Sequence, residues 1–151
     1  MTAITAASNN RDIDDEQNAA DGSYAVKTSV TIPQGAIVQI VSATGRVTNA
    51  SKVAGRQMCG ISVETKTAGT ASAATTFIKV RTAGTVKLVG AASLTKAYLG
   101  CNVAVVDNNT VSSRSVAGTA ANSVICIVGR LKQLSSTNAW VEINNIAQRY
   151  V

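Results

Sequence analysis

The stretch that decides the fold class is residues 24–41, which read YAVKTSVTI, PQG and AIVQIV. Apolar and polar residues alternate from Tyr24 to Ile32, which is the pattern of a strand with one buried face. Pro33-Gln-Gly35 breaks this alternation as a turn does, and a short apolar run follows at 36–41. The stretch therefore predicts a half-buried strand, a turn and a second strand.

Similar runs continue along the rest of the chain. They lie at residues 46–48, 59–65, 76–82, 85–89, 101–106, 123–131 and 139–143, separated by Gly, Asn, Asp or Ser. Val (19), Ile (11) and Thr (17) supply 47 of the 151 residues against 5 Leu, and β-branched side chains favour strands. Helix signals are weak and confined to 91–97 and 118–122. The sequence predicts a mainly β protein, an antiparallel β-sandwich or small β-barrel with a flexible N-terminal arm.

Charge divides the chain into two unequal parts. Residues 1–21 hold five of the eight acids and one base, whereas residues 22–151 hold thirteen bases and three acids. The first segment lacks aromatics and a sustained apolar period, so it cannot bury enough surface to offset its ordering entropy. We predict a flexible acidic arm at 1–22 and a single β-domain at 23–151. The arm is either a solubilising tail or a tether that orders on a partner.

The residues needed for most catalytic sites are missing. The chain has no His, which excludes Ser-His-Asp and Cys-His sites, and it contains neither GxxxxGK[ST] nor GxGxxG. The acids of the β-domain do not form a catalytic pair, because Asp107 opens an Asp-Asn-Asn turn and Glu142 alternates outward between apolar neighbours, which leaves Glu64 alone. We therefore predict no enzymatic activity and no cofactor.

Three cysteines lie 42 and 25 residues apart, at Cys59, Cys101 and Cys126. No CxxC pair brings two thiolates together, which argues against a metal site, and an odd count argues against a closed disulfide framework. Each lies in an apolar run, so we predict three buried free thiols. Neither a signal peptide nor a run of 18 apolar residues is present, which predicts synthesis in the cytoplasm and no membrane partner.

The basic residues of the β-domain are scattered singly along the chain. They form no basic run, and aromatics that would stack on bases are scarce at 3%, so we predict no nucleic-acid partner. Two pairs at i and i+2 share a strand face: Lys79 with Arg81, and Arg130 with Lys132. These pairs indicate either a solvated face or a basic surface that docks on an acidic protein.

Five stretches between Ile32 and Ile143 resemble, in order, the small capsid cement (head decoration) proteins of tailed bacteriophages. They are IPQGAIVQIV, AGRQMCGISVET, FIKVRTAGTVKLVG, AYLGCNVAVVDNNTVSS and VICIVGRLKQLSSTNAWVEIN. Each is a strand or strand pair punctuated by Gly, and the region from Ile32 to Ile143 covers about three quarters of the chain.

The resemblance implies a structural virion protein that binds the outer surface of an icosahedral phage head. Such a subunit bridges major capsid proteins, stabilises the shell, and forms a homo-oligomer, a trimer or alternatively a dimer. If the arm is the tether, its acids Asp12, Asp14, Asp15 and Glu16 are the candidate capsid contacts. The alternative function is a receptor- or glycan-binding module of a phage tail or fibre, which requires aromatics clustered on one loop face.

Overall fold

The computed structural model describes residues 21–70, 75–113 and 125–144. Within these ranges the chain forms twelve strands and one short 3-10 helix. In chain order these are β1 (Asp21–Ala25), β2 (Thr31–Ile32), β3 (Ile37–Val41), β4 (Arg46–Asn49), β5 (Arg56–Ser62), β6 (Lys66–Thr67), β7 (Phe77–Arg81), β8 (Ala83–Gly90), the 3-10 helix (Lys96–Tyr98), β9 (Asn102–Val105), β10 (Thr110–Ser113), β11 (Ile127–Ser135) and β12 (Asn138–Asn144). The predicted mainly β class is confirmed.

The strands form an open sheet, a closed barrel and a small two-stranded sheet. The open sheet has the order β1-β7-β5-β3-β4 and is antiparallel throughout, the barrel has the order β10-β8-β12-β11-β9, and β2 pairs with β6. Four of the barrel's five strand contacts are antiparallel. The fifth, between β8 and β10, is parallel and has only two residue pairs, Thr110 with Val89 and Val111 with Gly90. The barrel therefore closes through a short seam.

One continuous stretch of extended chain connects the open sheet to the barrel. Thr82 is the single residue between β7 and β8. The last strand of the open sheet in chain order therefore leads directly into the first strand of the barrel. Asp21 of β1 lies opposite Arg81, and Asn144 of β12 lies opposite Ala83. The first and last residues of the described domain thus pair at nearly the same point of this stretch.

The open sheet curls until its two edges almost meet. Val26, which follows β1, forms a parallel bridge with Val47 of β4, although β1 and β4 stand at opposite edges of the sheet. The next residue strengthens this contact, because the Lys27 N–H donates to the Val47 carbonyl at 2.8 Å. The sheet therefore encloses a core of its own.

Neighbouring residues of β3 fill two different cores. Ile37 packs with Met58 in the core that the sheet shares with the barrel, whereas Val38 packs with Cys59 in the core enclosed by the sheet. The shared core comprises Ile37, Ala50, Met58, Ile61, Leu88, Leu94, Val103, Val105, Val111, Cys126, Val128, Leu131, Leu134, Ala139, Val141 and Ile143. Because the strands of the sheet contribute three of these residues, and Ala50 directly follows β4, the sheet and the barrel are packed as one structure.

Two glycines permit close approach of neighbouring strands. A Cβ added to Gly60 would meet the carbonyl oxygen of Arg81, and one added to Gly129 would meet that of Glu142. Each glycine lies beside a register shift, between β3 and β5 or between β9 and β11. Such irregularities bend strands, and here only a residue without a side chain fits.

The stretch that predicted the fold class is divided differently from the prediction. Residues 24–32 do not form one strand, because the chain leaves β1 after Ala25 and β2 begins at Thr31. Ser29 between them has a φ of 59°, in the left-handed region, and its N–H donates to the Gly69 carbonyl. Val26 and Ile32 are both buried in the sheet's core. The alternating pattern therefore predicted the burial of these residues correctly, but it did not predict the turn between them.

Several other predictions differ from the structure or fall outside it. The short strands β6 and β10 were not predicted, and the 3-10 helix overlaps only the end of the helix signal at 91–97. The helix signal at 118–122 and residues 1–20 of the predicted arm lie outside the described residues. Asp21 and Gly22, the last two residues of that arm, belong to β1.

Candidate interaction surface

All four acids in the described ranges are engaged by nearby groups. Three form ion pairs: Asp21 with Arg81 at 3.2 Å, Glu64 with Lys66 at 3.7 Å, and Glu142 with Lys132 at 3.3 Å. The fourth, Asp107, accepts hydrogen bonds from the N–H groups of Asn109 and Thr110, both at 2.8 Å, as predicted for the residue that opens this turn. These carboxylates have local structural partners and do not converge on a common site.

The basic residues outnumber these acids. The described ranges contain eleven Lys and Arg against four Asp and Glu, a formal net charge of +7. Lys79, Lys87, Lys96 and Arg130 are exposed, and no acid among the described residues forms an ion pair with them. The domain surface is therefore cationic and only partly neutralised.

The predicted sharing of strand faces by basic residues is confirmed. Lys79 and Arg81 lie on the solvent side of β7, separated by the buried Val80. Arg130 and Lys132 lie on the solvent side of β11, separated by the buried Leu131. These residues form rows on pleated strand faces and do not close around a pocket.

Trp140 lies in the middle of the outer face of the barrel. Its neighbours across the strands are Lys87 on β8 and Gln133 on β11. Glu142, two residues along β12, lies opposite Arg130 and is predicted correctly to point outward. This face combines one half-buried indole with cationic, amide and carboxylate side chains, which suits contact with a polar surface.

A cleft of about 280 Å³ lies where the open sheet meets the barrel. Its lining comes from the turn before β3 and the turn between β9 and β10, namely Pro33, Gln34, Gly35, Ala36, Asn108 and Asn109. None of these six residues is titratable or nucleophilic. The cleft offers only backbone and amide groups, which form hydrogen bonds but supply neither an acid-base pair nor a nucleophile.

No family model, curated protein or solved structure matches the chain. Within the described ranges, no group of three or more His, Cys, Asp or Glu residues is placed to hold a metal ion. The same ranges contain no helix that is long and apolar enough to cross a membrane.

Two of the three cysteines are buried free thiols, as predicted. Burial raises the pKa of the Cys59 thiol from 9.0 to about 12, and its hydrogen bond with the Tyr24 side chain offsets this only in part. Burial also raises the pKa of Cys126, and the side chain of Gln39 and the backbone of Met58 act in the opposite direction. Both thiols are held neutral, which is the form that suits packing in a core.

Cys101 corrects the prediction that all three cysteines are buried. It is exposed, because it lies in the turn between the 3-10 helix and β9, just after Gly100. Its N–H donates to the Tyr98 carbonyl, and its carbonyl accepts from the Leu131 N–H. The apolar run that contains Cys101 becomes buried only from Val103 onward.

Gln39 is a buried polar residue that the sequence did not single out. It is fully buried beside the register shift between β3 and β5, and its Oε1 accepts a hydrogen bond from the Ser51 N–H at 3.0 Å. Its Nε2 has no hydrogen-bond partner of normal geometry among the described residues. The short apolar run at 36–41 gave no sign that its one polar residue is fully buried.

The candidate contacts Asp12, Asp14, Asp15 and Glu16 lie outside the described residues. Sequence reasoning missed the cleft, although both of its turns, Pro33-Gln-Gly35 and Asp107-Asn-Asn, were recognised as turns. What brings them together is tertiary: the Ile37 N–H donates to the Asn108 carbonyl at 2.7 Å. No periodic signal in either turn predicts that contact.

Proposed function

We propose that the chain is a capsid cement protein of a tailed bacteriophage, a non-enzymatic subunit that binds the outer surface of the icosahedral head. The observation that carries the proposal is the division of charge. A β-domain of +7 over its described residues follows a sequence segment in which Asp12, Asp14, Asp15 and Glu16 lie within five positions. Such a molecule attaches through surface contacts of both signs and needs no reactive centre.

The class of binding partner is proposed from the resemblance to cement proteins. The five stretches on which it rests correspond to β2 with β3, β5, β7 with β8, β9 with β10, and β11 with β12. These strands contribute most of both cores, so the likeness concerns the body of the domain. The proposed partner is the major capsid protein, and the proposed location is the outer surface of the virion.

Stabilisation of the shell follows from mass action. A ligand that binds the assembled lattice and not the dissociated subunits shifts the equilibrium toward the lattice. A homo-oligomer, a trimer or alternatively a dimer, would bind through several equivalent surfaces and so increase this effect. Twenty residues precede Asp21, and when extended they would reach about 65–70 Å, far enough to contact a neighbouring capsid subunit.

The exposed residues support a polar docking surface more than the alternative of a glycan-binding loop. The described aromatics Tyr24, Phe77 and Trp140 lie on β1, β7 and β12, and Tyr98 lies in the 3-10 helix. They come from different elements and do not share one loop. A sugar platform needs aromatic rings side by side on one face.

The proposal is tested by mixing the purified full chain with empty expanded heads of the phage that encodes it. We expect saturable binding and density on the outer surface by cryo-electron microscopy, absent from particles assembled without the chain. Retention on a phosphate matrix with a steep salt dependence, without binding to heads, would instead favour a nucleic-acid-binding barrel.

The role of the acidic segment is tested separately. Deleting residues 2–20 leaves β1 intact, and a variant with Asp12, Asp14 and Asp15 changed to Asn and Glu16 to Gln keeps the length of the segment. We expect both variants to occupy fewer sites on the head than the natural chain. Unchanged occupancy would remove the segment from the attachment mechanism.

A further inference from the structure

Part of one edge of β8 has no partner among the described residues. Along a strand, successive residues direct their N–H and C=O groups to opposite edges. The Gly90 N–H donates to Thr137, on the side of β12, whereas the Val89 N–H donates to Asn109, on the side of β10. Thr85 and Lys87 therefore face the same edge as Val89, but the pairing of β8 with β10 begins only at Val89, so no described strand pairs with Thr85 and Lys87 at this edge.

This open edge, formed by the backbone of Thr85 and Lys87, lies between two paired regions. Beyond it in one direction, Val89 and Gly90 form the seam with β10, and in the other, Arg81 pairs with Ile61 of β5. The side chains of Thr85 and Lys87 are both exposed. Among the described residues, these two N–H groups and two carbonyls have no strand partner, and an accessible strand of this kind is a template for another extended segment.

The charge near the open edge selects what pairs with it. The continuous stretch formed by β7 and β8 contains no acid and carries Lys79 and Lys87, which form no ion pair with a described acid, and Arg81, which pairs with Asp21. The carboxylate opposite Thr85 on β12, that of Glu142, is paired with Lys132. A lysine on an edge strand opposes pairing with the same edge of a second copy, since two such edges would bring like charges together. The edge therefore fits an extended acidic segment.

The chain itself contains one such segment, at residues 12–16. Asp21 lies opposite Arg81, which is six residues before Lys87, and Glu16 is five residues before Asp21. At about 3.3 Å per residue both separations are at most roughly 20 Å. Because β1 runs antiparallel to β7, its first residue, Asp21, lies at the end of β7 that leads into β8. A tether this short gives the segment a high effective concentration at the open edge.

We propose that the acidic segment at residues 12–16 adds to the open edge of β8 in the same chain, with its carboxylates near Lys87. The docked segment covers an edge that would otherwise recruit other strands. The inference concerns the free subunit and does not depend on the proposed capsid partner. If both proposals hold, the capsid competes with the open edge for the same acids.

The test is amide hydrogen exchange on the full chain, read residue by residue by NMR. We expect the N–H groups of Thr85 and Lys87 to be protected in the natural chain. Changing Asp12, Asp14 and Asp15 to Asn and Glu16 to Gln is expected to speed their exchange about tenfold, as loss of a hydrogen bond does. The N–H groups of Val86 and Leu88 face β12, so they serve as internal controls that should not change.

A second pair of variants tests the charge. Lys87→Gln is expected to speed exchange at Thr85, whereas Lys96→Gln, which changes an exposed cation on the 3-10 helix, is expected to leave it unchanged. Raising the salt concentration should act in the same direction as Lys87→Gln.

Three results would overturn the proposal. Thr85 and Lys87 exchanging as fast as unstructured amides in the natural chain would show an empty edge. Protection that survives neutralisation of the four acids would point to a different occupant. Protection that rises with protein concentration would assign the edge to a second copy. These exchange rates are measured on the free chain, so a failure of the chain to bind phage heads would not change what they say about the open edge.

Discussion

The side-chain amide of Asn108 in the barrel donates a hydrogen bond to Asn49 Oδ1 in the open sheet, at 3.0 Å. Asn49 in turn donates through its own Nδ2 to the Thr31 carbonyl at 2.8 Å, and the Asn108 carbonyl accepts from the Ile37 N–H. Two asparagines therefore connect the turn between β9 and β10 to three strands outside the barrel, β2, β3 and β4.

Asn49→Ala is expected to destabilise the protein, because it removes two side-chain hydrogen bonds and leaves the amide of Asn108 without this acceptor. The expected loss is about 1–3 kcal/mol in the free energy of unfolding, measured by urea titration. Asn109→Ala is the matched control, since Asn109 is exposed in the same turn. Equal effects of the two substitutions would contradict the role assigned to Asn49.

Gly60→Ala is expected to destabilise the protein by about 3 kcal/mol, because the new Cβ would meet the backbone oxygen of Arg81, which cannot move without shifting β7. Gly69→Ala is the control, since a Cβ there meets nothing within 4 Å and Gly69 does not have a positive φ. Thermal unfolding of both variants measures the difference. A Gly60→Ala variant as stable as Gly69→Ala would show that the strands do not approach as described.

Thiol labelling is expected to separate the three cysteines. At pH 8 in the native state, a thiol reagent such as DTNB should react rapidly with Cys101 alone, because Cys59 and Cys126 are buried and their pKa values are raised. In denaturant all three should react. Cys101→Ser should abolish the rapid phase and Cys126→Ser should leave it intact; the reverse pattern would place the exposed thiol elsewhere.

The free energy of unfolding is expected to fall at alkaline pH because the buried thiol of Cys59 ionises. Folding raises the pKa of this thiol from 9.0 to about 12, so the folded state holds its proton more tightly than the unfolded state. The resulting stabilisation is complete below pH 9 and is lost as pH rises toward 12, at up to about 1.4 kcal/mol per pH unit. Tyr24, whose pKa is also raised, contributes in the same direction.

Urea titrations between pH 8 and 11 measure this dependence. Cys59→Ala should be less stable than the natural chain at pH 8 but should lose stability less steeply as pH rises. Cys101→Ala is the control and should keep the natural slope. An unchanged slope in Cys59→Ala would mean that this thiol does not supply the alkaline sensitivity.

Local patterns predicted the strands best where one face is buried and the other is exposed. The alternation in β7 and the apolar run of β9 appear in the structure with boundaries close to those expected, and Glu142 points outward as its neighbours indicated. These features depend on nearest neighbours along the chain, which the sequence reports directly.

Features that depend on distant parts of the chain were not predictable in the same way. The turn at Ser29 depends on the carbonyl of Gly69, and the burial of Gln39 depends on a register shift against β5. The exposure of Cys101 is set by the turn after Gly100. The apolar character of the run that contains Cys101 gives no sign of this turn. The meeting of two turns at the cleft likewise has no counterpart in the local sequence.

The pairing of Asp21 with Arg81 and of Asn144 with Ala83 has a practical consequence for engineering. Since the two partners are two residues apart on extended chain, about 7 Å, Asp21 and Asn144 lie within a short distance of each other. The stretch from Asp21 to Asn144 is therefore suited to insertion as a cassette into a surface loop of an unrelated host protein. Cargo fused at Asp21 or at Asn144 would emerge beside the same stretch of strand.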